Sequence, residues 1–428
     1  MSAADGGMTL ATGEPEVAAR KRERLTGSLR GTATRLATVG DQLLVALTNF
    51  GLTIAIGRAF GADELAAYGI GLSVGLMVQG LQRHAVTIPL MLRTAEWAGR
   101  NRGGVVAEQA LVLLLAVLAG AAALGISCTS LSRFAFLAAL SSAACLLIYL
   151  QLEFARAFLV KIGKPLLLLA GAMLYAAAAA ALSVAALKGM IRYEWMLGGL
   201  GATMIVHAIA VALLARSLAP KQGARLLLAD TKKYGGWAVA ATATYAGYNH
   251  LPLLILGAVA APVHAAIFVA ARSLMQPLQI LLRGFDVADK NLFAEAKDGK
   301  RAAHFIWRLV GIYAVVGVVF GAAAGFGAEH LLALAYGDKF AGHGAAVIAW
   351  VPAYVLLSIS MPLESLVYAR HRFAGYFIIR GIASAAAIAA AFPLVRLYAE
   401  IGAIAACALG WLIAVTGTAL MLAWKRKA

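Results

Sequence analysis

The chain has 428 residues, of which 62% are hydrophobic and only 13% are charged, and its mean hydropathy is +0.82. Soluble cores stop growing at roughly 250–300 residues, so this much apolar sequence excludes an ordinary soluble domain and indicates a protein embedded in a bilayer. The net charge of +17 comes from short basic clusters between apolar runs. That pattern is typical of topology signals and of contact with anionic lipids, and it excludes nucleic acid as the partner.

Apolar runs of about 20 residues, the length that crosses a bilayer, follow one another along the chain. The sequence predicts an all-α polytopic membrane protein with about twelve transmembrane helices in two six-helix lobes. After a basic cytosolic tail (residues 1–37), the first lobe (38–217) has spans near 38–58, 66–91, 105–126, 134–155, 166–187 and 195–217. After a cytosolic linker (218–235), the second lobe (236–423) has spans near 236–259, 262–284, 305–326, 344–368, 373–395 and 400–423, and residues 424–428 form a basic C-terminus.

Basic residues are distributed unevenly between the two sides of these spans. With the N-terminus placed in the cytosol, 28 of the 37 Lys and Arg residues fall in cytosolic segments and six fall in the opposite loops. Cytosolic loops of membrane proteins carry the excess of Lys and Arg, so both termini are predicted to be cytosolic. The remaining three basic residues, Arg83, Arg272 and Arg380, fall within predicted spans.

Short similarities between the halves indicate an internal repeat. Ala66-Ala67-Tyr68 opens the second span and Ala265-Ala266-Ile267 opens the eighth, while Leu152-Glu153 and Leu363-Glu364 stand near the ends of the fourth and tenth. Because each half has six spans, both halves begin on the same side and form parallel repeats. Substrate sites of such transporters lie between the repeats near the midplane, so we predict a central cavity there.

Ionisable residues inside spans are costly to insert and are functional candidates by default. Arg272 lies about midway along the eighth span, near Pro277, where it is predicted to bind an anionic group such as phosphate. The alternative is a structural ion pair with Asp41. Arg83 and His84 lie in a polar part of the second span and are predicted to line the same cavity.

The other candidates have two interpretations each. Arg380 lies near the cytosolic end of the eleventh span, where it either snorkels to the interface or serves the cavity. Asp41 is an interfacial residue or a coupling carboxylate, and Asn49 is an interhelical contact or a cavity group. Asn249 and His250 precede a proline in the seventh span, which predicts a bent helix and a gating or cavity role.

Enzyme motifs do not occur in the sequence. It has no GxxxxGK[ST], HExxH or GxSxG pattern, and the three cysteines have no metal-site spacing. We therefore expect neither an enzyme nor a cofactor or metal. The longest predicted outer loop, about 327–343, leaves little room for the catalytic loop of a glycan polymerase or ligase, which remains the alternative from another class.

Three segments of the chain resemble a known family. TNFGLTIAIGRAFGADELAAYGIGLSV (residues 48–74) has a span ending in Arg, a short Phe-Gly-acidic turn and a Tyr-Gly that opens the next span. The segment that begins YGDKFAGHG (residues 336–344) has the outer Tyr-Gly-acidic-x-Phe turn before the tenth span, and AAIFVAARSLMQPLQ (265–279) resembles the eighth. In these features the chain is similar to the Wzx-type flippases of the multidrug, oligosaccharidyl-lipid and polysaccharide exporter superfamily.

The resemblance implies transport of undecaprenyl-pyrophosphate-linked oligosaccharides to the outer leaflet by alternating access, for surface polysaccharide biosynthesis in a bacterial inner membrane. It also implies membrane lipids, a polysaccharide polymerase and export machinery as partners. Arg83 and Arg272 are suitable ligands for the pyrophosphate. The alternative within the superfamily is a cation-coupled multidrug exporter, for which Asp41 is the suitable residue.

Overall fold

The computed structural model describes residues 13–130, 132–215, 240, 243–295, 299–370 and 372–424, and the regular structure in this part of the chain is helical throughout. The all-α class predicted from the sequence is confirmed. The predicted linker (218–235), the first twelve residues of the tail and residues 425–428 lie outside the described residues.

The helices of the first half are α1 (Gly13–Ala59), α2 (Ala62–Gln82), α3 (Ile88–Leu92), α4 (Ala95–Arg100), α5 (Arg102–Thr129), α6 (Arg133–Lys161), α7 (Pro165–Leu187) and α8 (Tyr193–Ala215). Those of the second half, after a helical stretch at 243–249, are α9 (Leu251–Val259), α10 (Pro262–Glu295), α11 (Gly299–Phe326), α12 (Ala328–Tyr336), α13 (Gly344–Ala369) and α14 (Phe373–Trp424). A π-helical segment, Arg83–Thr87, joins α2 to α3.

Within the described residues, ten helices are long and apolar enough to cross a bilayer. One of them, α14, has 52 residues, about 78 Å of helix, whereas a bilayer core is about 30 Å thick. The chain reverses direction at Ala399, whose φ is 47°, and the Arg372 Nη1 donates to the Met421 carbonyl at 3.0 Å. Helix α14 is therefore a hairpin of two spans, as predicted at 373–395 and 400–423.

The predicted seventh span is interrupted at His250. Helix occupies 243–249 and then α9, with Pro252 in the first turn of α9. Proline lacks the N–H that would bond to the preceding turn, so the helix bends where the sequence predicted it. Because the hairpin counts twice, the ten long apolar helices supply eleven of the predicted spans, and the predicted seventh span (236–259) lies partly outside the described residues.

The halves share one pattern of helix packing. In the first half α2 packs on α6 and α1 on α7, and in the second half α10 packs on α13 and α9 on α14. The same positions therefore pair in both halves, which is what the predicted repeat requires. The halves meet mainly where α2 packs against α10.

The side chain of Glu64 caps the N-terminus of helix α2. The Gly61 N–H donates to the Glu64 carboxylate at 2.9 Å, and Asp63 and Glu64 add negative charge to the first turn, where the helix dipole favours it. At its other end the Ile88 N–H bonds to the Arg83 carbonyl, just before Pro89. π-Helical turns of this kind often occur at functional sites, and this one orients Arg83 and His84.

Candidate functional site

The two halves approach each other closely at the predicted outer end, where α2 and α10 begin. A Cβ atom added at Gly69 would overlap Cγ2 of Val269 on α10, and one added at Gly257 would lie 2.5 Å from the Ile70 Cδ1. Small residues of this kind let helices in a membrane pack with their backbones close together. The interface between the halves is therefore closed at this end.

Two basic side chains hold the same end together, and we call this pair the outer latch. The Arg58 Nη2 donates to the Leu334 carbonyl at 3.0 Å, near the C-terminus of α12. The Lys339 Nζ donates to the Arg58 carbonyl at 3.0 Å and the Phe60 carbonyl at 2.6 Å, at the C-terminus of α1. Each half thus supplies a cation to the C-terminus of a helix in the other half, where the helix dipole favours positive charge.

Arg272 lies one turn beyond this interface on α10. Its guanidinium stands 5.6 Å from the centroid of the Trp350 ring, a cation–π distance, and its backbone carbonyl accepts from the Tyr354 hydroxyl at 3.3 Å. Within the described residues no carboxylate pairs with this guanidinium. The predicted alternative, an ion pair between Arg272 and Asp41, is not formed, because Asp41 has another partner.

That partner is Arg156, and the two residues belong to a group we call the first-half charge network. The Arg156 Nε lies 2.6 Å from Asp41 Oδ2, and its Nη1 lies 3.0 Å from Glu153 Oε2. Glu153 also accepts from Gln79 Nε2 at 3.3 Å and lies 3.3 Å from the Arg83 Nε. Two arginines thus face two buried carboxylates, and their charges balance.

Arg83 is the exposed member of this network. Its side chain is 60% exposed, whereas the Glu153 side chain is 5% exposed. The Arg83 Nε makes the closest approach to the carboxylate, and within the described part of the chain the terminal nitrogens of the guanidinium make no hydrogen bond. His84, beside it, is half-buried and its Nδ1 is 2.9 Å from the Gly80 carbonyl.

Arg83 and Arg272 lie at different depths. Counted from the Gly69–Val269 contact, Arg83 is ~21 Å further along α2 and Arg272 only ~4.5 Å further along α10, at 1.5 Å per residue. Both helices run inward from the predicted outer end. The Cα atoms of the two arginines are therefore separated by roughly 16 Å in depth, so the two residues serve different levels of the predicted cavity.

Arg380 is buried, so of its two predicted alternatives the structure does not support snorkelling to the interface. Its residue exposure is 8%, and its Nη2 lies 3.2 Å from Glu364 Oε2. The guanidinium also stands 4.3 Å from the Tyr376 ring and 5.5 Å from the Tyr245 ring. A carboxylate and two aromatic faces within the helix bundle compensate the buried charge, so the side chain does not need to reach water.

Asn249 and His250 lie beside this group, at the interruption before α9. Both are buried; the Asn249 Nδ2 is 3.2 Å from the Tyr245 hydroxyl and 3.2 Å from His250 Nε2. Tyr245 therefore connects them to Arg380. Asn49 makes an interhelical contact in the first half, where its Oδ1 accepts from the Tyr175 hydroxyl at 2.8 Å.

Arg156 is one of the 28 basic residues that fall in predicted cytosolic segments, and its place at the centre of a buried network is not predicted from the sequence. Its partner Asp41 is 115 residues away in the chain, and no local pattern reports such a pairing. The spacing of Glu153 and Arg156, three residues apart on one helix face, is the part of the network that the sequence does show.

Comparison with known proteins identifies the fold. No protein-family model matches the chain, and no curated protein matches it significantly in sequence. Among solved structures, an inward-facing multidrug resistance MATE family transporter of the MOP superfamily matches with a TM-score of 0.66 at 14% identity, over 92% of this chain and 99% of that one. The lipid II flippase MurJ, in an inward closed conformation, matches with a TM-score of 0.67 at 13% identity, over 92% of this chain and 87% of that one.

An outward-facing MATE family transporter matches less well, with a TM-score of 0.57 at 15% identity, over 93% of this chain and 96% of that one. The chain therefore has the fold of transporters of the MOP superfamily.

Proposed function

We propose that this protein is a flippase for lipid-linked oligosaccharides. It moves undecaprenyl-pyrophosphate-linked repeat units from the cytosolic to the outer leaflet of a bacterial inner membrane by alternating access, for surface polysaccharide biosynthesis. Both termini lie in the cytosol in this proposal. The MOP-type fold supports the transport mechanism, and the charges inside the spans support the class of substrate.

The observation that carries the proposal is the state of Arg272. It is a guanidinium in the middle of a span, without a carboxylate partner among the described residues, beside the interface between the halves. An unpaired cation at this depth is costly unless it serves an anionic ligand. Arginine also suits pyrophosphate, because its planar fork donates two parallel hydrogen bonds.

Three carboxylates inside the spans are bound by arginines, and this argues against a cationic drug as substrate. Asp41 and Glu153 are both bound by Arg156, and Glu364 is bound by Arg380. A multidrug exporter that binds cations needs carboxylates that are free to meet them. A glycan polymerase or ligase would need a large catalytic loop on the outer side. The longest predicted outer loop has little room for one, because α12 and the outer latch occupy it.

The conformation supports alternating access. The halves are closed at the predicted outer end by the Gly69–Val269 contact and the outer latch, while Arg83 remains exposed toward the predicted cytosolic end. This arrangement is the one a flippase needs when it receives a substrate from the cytosolic leaflet.

Deletion of the gene in its host tests the proposal. We expect lipid-linked oligosaccharide to accumulate in lipid extracts analysed by mass spectrometry, and surface polysaccharide to fall. Complementation with the native gene and with Arg133→Ala should restore both, and Arg272→Ala should not. Arg133 is a suitable control because it is an exposed arginine at the predicted outer end, outside the middle of the spans. Normal levels of both products in the deletion strain would contradict the proposal.

The multidrug alternative makes the opposite prediction. Asp41→Asn should then abolish resistance to cationic drugs while Arg272→Ala has no effect. This result would replace the flippase interpretation with that of a drug exporter.

A further inference from the structure

The pairing of Arg83 with Glu153 is asymmetric. The carboxylate is buried and satisfied by three side chains, because it meets Arg156 at 3.0 Å, Gln79 at 3.3 Å and Arg83 at 3.3 Å. The arginine is mostly exposed and is held only through its Nε. Without Arg83, Glu153 would still keep two donors, so this pair can separate without leaving a bare buried charge.

Arg156 differs from Arg83 in each of these respects. Its side chain is 18% exposed, and two carboxylates bind two of its nitrogens, Asp41 at 2.6 Å and Glu153 at 3.0 Å. Arg156 therefore has a structural role. The two terminal nitrogens of Arg83, by contrast, are suited to donate two parallel hydrogen bonds to one phosphate. The network thus fixes Arg156 in place and leaves the Arg83 guanidinium accessible to a ligand.

The depth of Arg83 gives it a position on the transport path. It lies roughly 16 Å closer to the predicted cytosolic end than Arg272. A head group arriving from the cytosolic leaflet therefore meets Arg83 before it reaches Arg272, and the two arginines act in sequence.

We propose that Glu153 is an internal substitute for the anionic head group. In the empty transporter the Glu153 carboxylate neutralises the Arg83 guanidinium. An arriving pyrophosphate then replaces Glu153 as the counter-ion of this guanidinium. When the head group moves on to Arg272, Glu153 again becomes the counter-ion of Arg83. Glu153 is thus a positioning residue that sets how tightly the protein captures its substrate, and this inference rests on the proposed flippase function.

The chain contains a matched pair for comparison. At the predicted outer end Arg133, 67% exposed, lies 2.5 Å from Glu64, 8% exposed. This pair has the same chemistry and similar exposures as Arg83 and Glu153, but it lies at the end that is closed in this conformation. A variant of Arg133 therefore removes a similar charge from a place that the cytosolic substrate does not reach.

The test uses the full chain in proteoliposomes that contain radiolabelled undecaprenyl pyrophosphate. A membrane-impermeant phosphatase outside the vesicles releases label only from the outer leaflet, and the initial rate at several mole fractions of the lipid gives KM and the maximal rate. We expect Arg83→Gln to raise KM about tenfold, since the loss of a charged hydrogen bond changes affinity by about this factor. Glu153→Gln should lower KM several-fold, and Arg133→Gln should leave it unchanged.

The double variant separates this role from a structural one. In the Arg83→Gln background, Glu153→Gln should no longer lower KM, because the cation that it neutralised is absent. If Glu153 only supports the fold, Glu153→Gln will reduce the amount of folded protein or the maximal rate and leave KM unchanged, which would overturn the inference. If the native protein does not speed label release at all, the proposed function itself fails.

Discussion

A single methyl group at Gly69 should change the balance between the two conformations of the transporter. In Gly69→Ala the new Cβ would lie 3.1 Å from both Cβ and Cγ1 of Val269 and would overlap Cγ2. Valine is β-branched and has one strongly preferred rotamer in a helix, so Val269 cannot turn away cheaply. Overpacking of this kind costs about 1–3 kcal/mol, and the cost applies only while the outer ends of the halves are in contact.

Because the penalty disappears when the outer ends separate, the substitution should shift the population toward the outward-open state by roughly 5- to 150-fold. The shift can be measured as a distance distribution between spin labels on cysteines that replace Met190 and Ala341, exposed residues at the predicted outer end of the two halves. The exposed Cys128 is replaced by alanine in the background. We expect the long-distance population to grow.

Two other glycines serve as controls. A Cβ at Gly51 meets nothing within 4 Å, so Gly51→Ala should leave the distances unchanged. A Cβ at Gly71 would lie 2.5 Å from the Ser141 carbonyl carbon within the same half, so Gly71→Ala should lower stability without moving the halves apart. If Gly69→Ala behaves like either control, the close approach of Gly69 and Val269 does not determine the conformation.

Three further predictions concern the ionic groups. Arg156→Gln should destabilise the protein by about 3–5 kcal/mol, because it leaves the buried Asp41 unpaired, and this loss is measured as a lower melting temperature in detergent. Adding Asp41→Asn should recover much of the lost stability, and an additive loss in the double variant would contradict the pairing. Lys339→Gln removes two hydrogen bonds of the outer latch, so it should favour the outward-open state by about 1 kcal/mol, or about fivefold, in the same spin-label experiment. Unchanged distances would show that the outer latch does not stabilise the outward-closed state. Arg272→Lys should keep the charge but lose bidentate binding, so transport should fall at least tenfold, and full activity would show that charge alone suffices.

The sequence predicts the fold well because bilayer insertion depends on local composition. Apolar runs of bilayer length and the alternation of basic loops report directly on spans and sides. This is why the hairpin around Ala399 and the bend at His250 fall where the sequence places them. The π-helical segment at Arg83 is not predicted, because a shift from i→i−4 to i→i−5 bonding depends on packing around one turn.

The candidate site is less predictable because its properties come from pairs of residues far apart in the chain. Arg272 and Arg380 look alike in sequence, as single arginines within apolar spans. Within the described residues the Arg272 guanidinium stands beside Trp350 and meets no carboxylate, whereas the Arg380 guanidinium is enclosed by Glu364 and two tyrosines. Tertiary packing alone separates these two cases.

Transport of undecaprenyl-pyrophosphate-linked glycan by the purified protein tests the central claim most directly. Proteoliposomes with the native protein should expose the lipid-linked glycan to an external enzyme that cleaves the P–O–P bond of its pyrophosphate, and those with Arg272→Ala should not, while Arg133→Ala should match the native protein. Failure of the native protein to expose this lipid, together with export of a cationic dye by the same vesicles, would contradict the account.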